Sequence, residues 1–212
     1  MTDVVPASAA SVSDSSAPST GRKRPKPGER RVQILQALAH MLEQPGAERV
    51  TTAALAARLD VSEAALYRHF ASKAQMFEGL IDFIESSVFG LINQINEREA
   101  DGRARAARIA AMVLQFGEKN PGMTRVMVGD ALVFEHERLQ QRMNQLFDKL
   151  EAALRQCLRD AGDADALAPD ASAQLTASVL TAFVVGRLQR FARSGFRRMP
   201  SEQLDACMAK ML

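Results

Sequence analysis

The chain has 212 residues, 47% of them hydrophobic and 25% charged, with 27 Lys and Arg against 25 Asp and Glu for a formal net charge of +2. The length suffices for a sizeable core, while Ala, Leu, Arg, Glu and Gln dominate and β-branched runs are scarce, so an all-α fold is expected. So small a net charge excludes nucleic-acid binding driven by global charge; any such binding must come from where the basic residues stand.

Residues 1–21 carry too little bulky apolar surface to offset the entropy of ordering them. Arg22, Lys23, Arg24, Lys26, Arg30 and Arg31 follow, and Pro25 and Pro27 bar a helix before about residue 28. Residues 1–27 therefore read as a disordered tail ending in a basic arm that could track phosphates or enter a minor groove. The first helix is predicted over Glu29 to Gln44, with Val32, Leu35, Leu38, Ala39 and Leu42 as its inner stripe and Pro45-Gly46 ending it.

Residues 51–73 predict two short helices joined by a tight turn. Thr51 or Thr52 can cap the first, whose apolar stripe is Leu55, Ala56 and Leu59. Asp60 falls where positive φ is usually needed, and Asp tolerates that conformation better than most residues. Ser62 can cap the second helix, expected to run as a rod through residue 70, with Leu66 and Phe70 pointing inward. Glu63, Ala64, Tyr67 and Arg68 lie elsewhere around it, small enough in part to approach base edges. The pattern is that of a DNA-reading helix-turn-helix; the plainer alternative is a hairpin belonging to a helical core. By position, Thr51, Thr52, Tyr67 and Lys73 are expected to clamp phosphates and Ser62, Glu63, Ala64 and Arg68 to face bases, with His69 completing the DNA-binding set.

Ser72 is expected to cap a long helix from Lys73 to about Glu97, with Phe77, Leu80, Ile81, Ile84, Val88, Leu91 and Ile95 inward. Lys73 would lie in its first turn, where free N–H groups also favour a phosphate. Phe83 sits at the edge of this stripe and Phe89 nearly opposite it, so at least one aromatic should remain outside the core.

Further helices are expected over Arg103 to Lys119, Thr124 to Val128, Leu132 to Ala161, Asp170 or Ser172 to Gly195, and from Ser201 onward. Leu139, Met143, Leu146, Leu150, Ala153 and Cys157 form a seam that needs a partner helix. The two long late helices are the candidates for a four-helix homodimer interface, with intramolecular packing as the alternative, and Gly186 would permit close approach. Arg187, Arg190, Arg193, Arg197 and Arg198 read as a solvated face. The domains expected are thus 28–73 for DNA and 74–212 for dimerisation and partner binding.

No nucleophile with a base, acid pair or cofactor loop stands at workable spacing, so no enzyme and no cofactor are expected; Glu135 and Glu137, two apart on a helix, read as solvated charges. His40, His69 and His136 are too scattered for a metal site, and Cys157 and Cys207 read as small buried hydrophobes. With no secretory leader or membrane span in the pattern, a cytoplasmic protein is expected.

The stretch Thr51 to Lys73, above all Tyr67-Arg68-His69-Phe70-Ala71-Ser72-Lys73, resembles the TetR family of dimeric all-α DNA-binding proteins. Asp60 stands where that family normally has Gly and Ala71 where it has Pro. Val61 to Phe70, Phe116-Gly117-Glu118-Lys119-Asn120-Pro121-Gly122, and Phe134-Glu135 with Arg138-Leu139-Gln140 are similar to its nucleoid-occlusion branch, over roughly residues 29–160. The resemblance implies a homodimer on a palindromic double-stranded DNA site, associated with the nucleoid, that also binds FtsZ and blocks Z-ring assembly. It implies that the FtsZ tail docks at Phe83, Lys119 and Asn120. The residues alone leave open a repressor of the same family released from DNA by a small molecule.

Overall fold

Polar caps decide where the helices of the N-terminal half begin. The computed structural model describes residues 28–44, 50–162 and 169–212. Its helices are α1 (Glu29–Leu42), α2 (Thr52–Arg58), α3 (Glu63–Tyr67), α4 (Lys73–Arg98), α5 (Gly102–Lys119), α6 (Pro121–Met127), α7 (Glu137–Ala161), α8 (Pro169–Arg193) and α9 (Leu204–Met211), with a 3-10 turn at Asp130–Leu132. No strand occurs among the described residues, as the composition predicts. Thr51, Ser62, Ser72 and Asp101 each accept from a backbone N–H three residues on, which fixes the starts of α2, α3, α4 and α5. The N-terminal tail with most of the basic arm, the Pro45-Gly46 stop and residues 163–168 lie outside the described residues.

The head is α1, α2, α3 and the first turns of α4. Leu38, Leu42, Leu55, Leu66, Phe70 and Phe77 close its interior, all almost fully buried. That interior is continuous with the body's, because α4 runs through both, so no gap in packing marks residue 73. In the body, α7 and α8 pack extensively on each other and α5 lies against both. The seam finds its partners within the chain: Leu139, Met143, Leu146, Leu150 and Cys157 are buried. Burial pushes the Cys157 thiol above its ordinary range, with Asp160 adding to the effect and Arg105 opposing it.

Several expectations shift. The second hairpin helix ends at Tyr67 rather than continuing to residue 70, with Arg68 as its C-cap, although the Phe70 N–H still donates to the Leu66 carbonyl. Asn120-Pro121-Gly122 breaks the helix without ending helical structure: Pro121 opens α6, since its missing N–H costs nothing in a first turn. The seam helix starts at Glu137, five residues late, because Gly129 takes a left-handed φ of 85° and the chain makes a 3-10 turn first. Ser201 does not cap the last helix; its N–H and hydroxyl both donate to Glu118. On α4 the stripe steps from Val88 to buried Ile92, four residues on, which leaves Leu91 exposed. Val32 likewise leaves the core and is 53% exposed. Arg187 is no solvated charge, for it donates to the Glu202 carbonyl at 3.0 Å and stacks 4.9 Å from the Phe183 ring centre.

Candidate DNA interface and docking groove

Two surfaces gather the residues singled out from the sequence. The first is the hairpin. Asp60 adopts φ 54°, the left-handed turn its position requires, and lets α3 fold back across α2. Leu66 and Phe70 face inward, while Ser62, Glu63, Ala64, Tyr67 and Arg68 stay exposed, Tyr67 at 45%. Thr51 is exposed, and its hydroxyl accepts from the Ala54 N–H at 3.2 Å. The Thr52 hydroxyl donates to the Glu63 carboxylate at 2.5 Å, tying the first helix to the start of the second.

The far end of α3 is held from α1. Arg31 donates to the His69 carbonyl, and its guanidinium lies 4.1 Å over the Phe70 ring. His69 itself is half-buried. In sequence Arg31 was only one of several basic residues of the arm; no local signal linked it to a carbonyl 38 positions away.

Lys73 begins α4, as expected, with Ser72 accepting from the Gln75 N–H at 3.2 Å. Its ammonium is already engaged by Glu135, which is not a solvated charge: the two side chains are 26% and 10% exposed. This pair heads a ladder between α4 and the start of α7. Arg138 meets Glu78 at 2.8 Å, and Arg142 meets Asp82 at 2.9 Å and Glu85 at 2.5 Å. Burial alone would lower the Arg142 pKa, but hydrogen bonds to Asp82 and Glu85 and their charges outweigh it and raise the pKa.

The second surface is a groove of about 330 Å³ between α1, α4 and the junction of α5 with α6. It brings Phe83 together with Lys119 and Asn120, although 36 or more positions separate the ring from the other two in sequence. Phe83 is 49% exposed, whereas Phe89 packs against the core, so one aromatic does remain outside. Lys119 is exposed. The Asn120 amide donates to the Phe116 carbonyl at 2.8 Å, which aims its oxygen away from that bond. The opposite wall is α1, with Val32, Leu35, Gln36, His40 and Glu43, and Met123 of α6 joins the lining. Helical period places Val32 and Leu35 in the core and gives no role here to Gln36, His40, Glu43 or Met123. Gly122 sets the width: a Cβ there would stand 2.0 Å from the Ala39 carbonyl oxygen, so the backbones of α6 and α1 touch.

A capped two-helix reader on a three-helix head, followed by a long-helix body, defines a helix-turn-helix DNA-binding regulator. The pattern described as "Bacterial regulatory proteins, tetR family" matches residues 34–80, and "SlmA-like_C: Tetracyclin repressor-like, C-terminal domain" matches residues 101–211. The chain is 49% identical over 181 residues to the nucleoid occlusion factor SlmA of Vibrio vulnificus (strain YJ016), covering 85% of this chain and 92% of that one. It is 51% identical over 178 residues to SlmA of Citrobacter koseri, covering 84% and 90%. The fold matches a TetR-like transcriptional regulator from Rhodococcus sp. RHA1 (TM-score 0.69, 18% identity, 88% of this chain and 97% of that one). It also matches the regulator FadR from Bacillus subtilis in complex with stearoyl-CoA (TM-score 0.64, 12% identity, 85% and 96%). The chain therefore belongs to the TetR family, in its SlmA branch of nucleoid occlusion factors. None of the helices in the described residues is long and apolar enough to cross a membrane.

Proposed function

We propose that this protein is a division inhibitor that binds chromosomal DNA and FtsZ together and blocks Z-ring assembly over the nucleoid. The observation that carries the reading is the convergence of Phe83, Lys119 and Asn120 on one groove, in a chain about half identical to nucleoid occlusion factors. The groove offers a half-exposed ring and apolar neighbours beside an ammonium, which suits an apolar peptide with acidic residues.

In this reading the DNA surface consists of Thr51, Thr52, Tyr67 and Lys73 on phosphates and Ser62, Glu63, Ala64 and Arg68 toward bases, with His69 completing the set. Phosphate contacts set the register and base-edge contacts set the sequence. A homodimer places two such heads on one palindromic site. Its interface is the outer stripe of α8, where Leu175 and Val179 are exposed, with Ser178 between them and Ala182 beyond. Gly186 continues that stripe, and a Cβ there would meet nothing within this chain, leaving room for a second helix.

The test is sedimentation of FtsZ polymers with this protein, with and without a duplex selected by it from a random pool. The expected result is a fall in pelleted FtsZ that requires the duplex. No DNA-dependent change, with release of the duplex by a small apolar effector instead, would favour the ligand-controlled repressor.

A further inference from the structure

We propose that Glu135 is an internal stand-in for a DNA phosphate, held by Lys73 when the protein is free and displaced when DNA binds. The inference rests on the reading of Lys73 as a phosphate ligand and adds to it a residue that sets the affinity of that contact.

Lys73 opens α4, so a phosphate on its ammonium would also meet the free N–H groups of that helix's first turn. In the free protein the ammonium faces the Glu135 carboxylate, 62 residues away, and that carboxylate is nine-tenths buried. An incoming phosphate brings the same chemistry as the carboxylate, an anionic oxygen acceptor, to the same donor. The two anions repel each other at one ammonium, so phosphate binding favours opening of the pair.

The surroundings permit this. Glu135 lies in the short segment between the 3-10 turn and α7, where Val133 and Phe134 are 70% and 69% exposed and make few contacts to hold it. The other ion pairs of the ladder, Arg138 to Glu78 and Arg142 to Asp82 and Glu85, do not involve Lys73. They keep α7 seated on α4 when the first pair opens. Replacement of the stand-in should therefore favour DNA of any sequence, because phosphates carry no sequence information.

The experiment measures fluorescence anisotropy of a duplex selected for tight binding and of its scrambled counterpart, using the full chain and its Glu135→Gln, Lys73→Ala and doubly substituted forms. Glu135→Gln keeps the side chain's shape and removes its charge. It is expected to tighten both duplexes equally, by about twofold to fivefold, the worth of a partly exposed ion pair. Lys73→Ala should weaken both, and the double variant should match Lys73→Ala.

Phe134→Trp supplies the second readout, since the chain has no Trp. Its emission should shift when DNA is added and should already be shifted without DNA in the Glu135→Gln background. If Lys73→Ala binds like the unmodified chain, the phosphate reading itself falls. If Lys73→Ala weakens binding while Glu135→Gln leaves it unchanged or weakens it too, only the stand-in falls, and Glu135 merely positions the lysine. A double variant that binds more tightly than Lys73→Ala also overturns it, since Glu135 would then act by repelling DNA directly.

Discussion

The hairpin and the groove are built in opposite ways. The caps and the cross-link that shape the hairpin join residues 3 to 11 positions apart: Thr51 to Ala54, Ser62 to Ala65, Thr52 to Glu63. The groove takes its walls from residues 32–43, 80–83 and 119–123, brought together only by packing. A site of the first kind depends on its own few residues, whereas one of the second depends on the joints between helices. Single substitutions should therefore separate the two surfaces, except at the helix they share.

The largest effect is expected at Phe70, which is 1% exposed under Arg31 and so close to α4 that a Cβ added at Gly79 would stand 3.5 Å from its ring. Phe70→Ala should cost about 3 to 5 kcal/mol, transfer and cavity terms together. Urea unfolding should report that loss, and specific DNA binding should vanish as α3 loses its seat. If affinity for a synthetic FtsZ tail peptide falls in parallel, head and groove are one cooperative unit and the contrast fails.

Phe83→Ala is the complementary change. Because the ring is half-exposed, stability should move by less than about 1 kcal/mol. Peptide affinity should drop roughly thirtyfold, the worth of a hot-spot aromatic of about 2 kcal/mol, with DNA affinity unchanged. Isothermal titration with the peptide and anisotropy with the duplex measure both on one preparation, and a loss of DNA affinity would contradict the separation.

The same contrast governs how much could be read from the sequence. Ser62 and Ser72 were legible as caps, the first cap was narrowed to Thr51 or Thr52, and Asp60 was legible as a turn residue, because the chemistry that fixes each lies within three or four positions. Phe83 could be marked as peripheral from helical period, but period gives no partner, so the α1 wall with Val32, His40 and Glu43 stayed hidden. Phe83, Lys119 and Asn120 were joined only through family resemblance. The Lys73 to Glu135 pair is invisible in sequence for the same reason, since spacing alone makes Glu135 a solvated charge. Proline misled once: the residue that stops α5 also starts α6, since its conformation fits a first turn.

A smaller effect is expected at Ser62, the cap of a helix only five residues long. Ser62→Ala should cost about 1 kcal/mol and weaken DNA about fivefold by fraying the start of α3. Ser62→Asp restores an acceptor and should recover the stability, read by thermal unfolding. It should not recover the affinity if the hydroxyl also faces a base, because a carboxylate there is repelled by the duplex.

The smallest single effect tests the exception. Helix α1 serves both surfaces: Arg31 holds the end of α3, and Val32, Gln36 and His40 wall the groove. Arg31→Ala removes one hydrogen bond and one cation–π contact at an exposed site, worth about 0.5 to 1 kcal/mol, so DNA affinity should fall about threefold. Its information lies in a cycle with Phe83→Ala, with DNA affinity read with and without saturating peptide. If α1 is a rigid bar, the peptide's effect on DNA affinity should shrink when Arg31 is removed, because the groove then loses its grip on α3. Equal peptide effects in both backgrounds would mean that α1 carries no signal and that any coupling runs through α4.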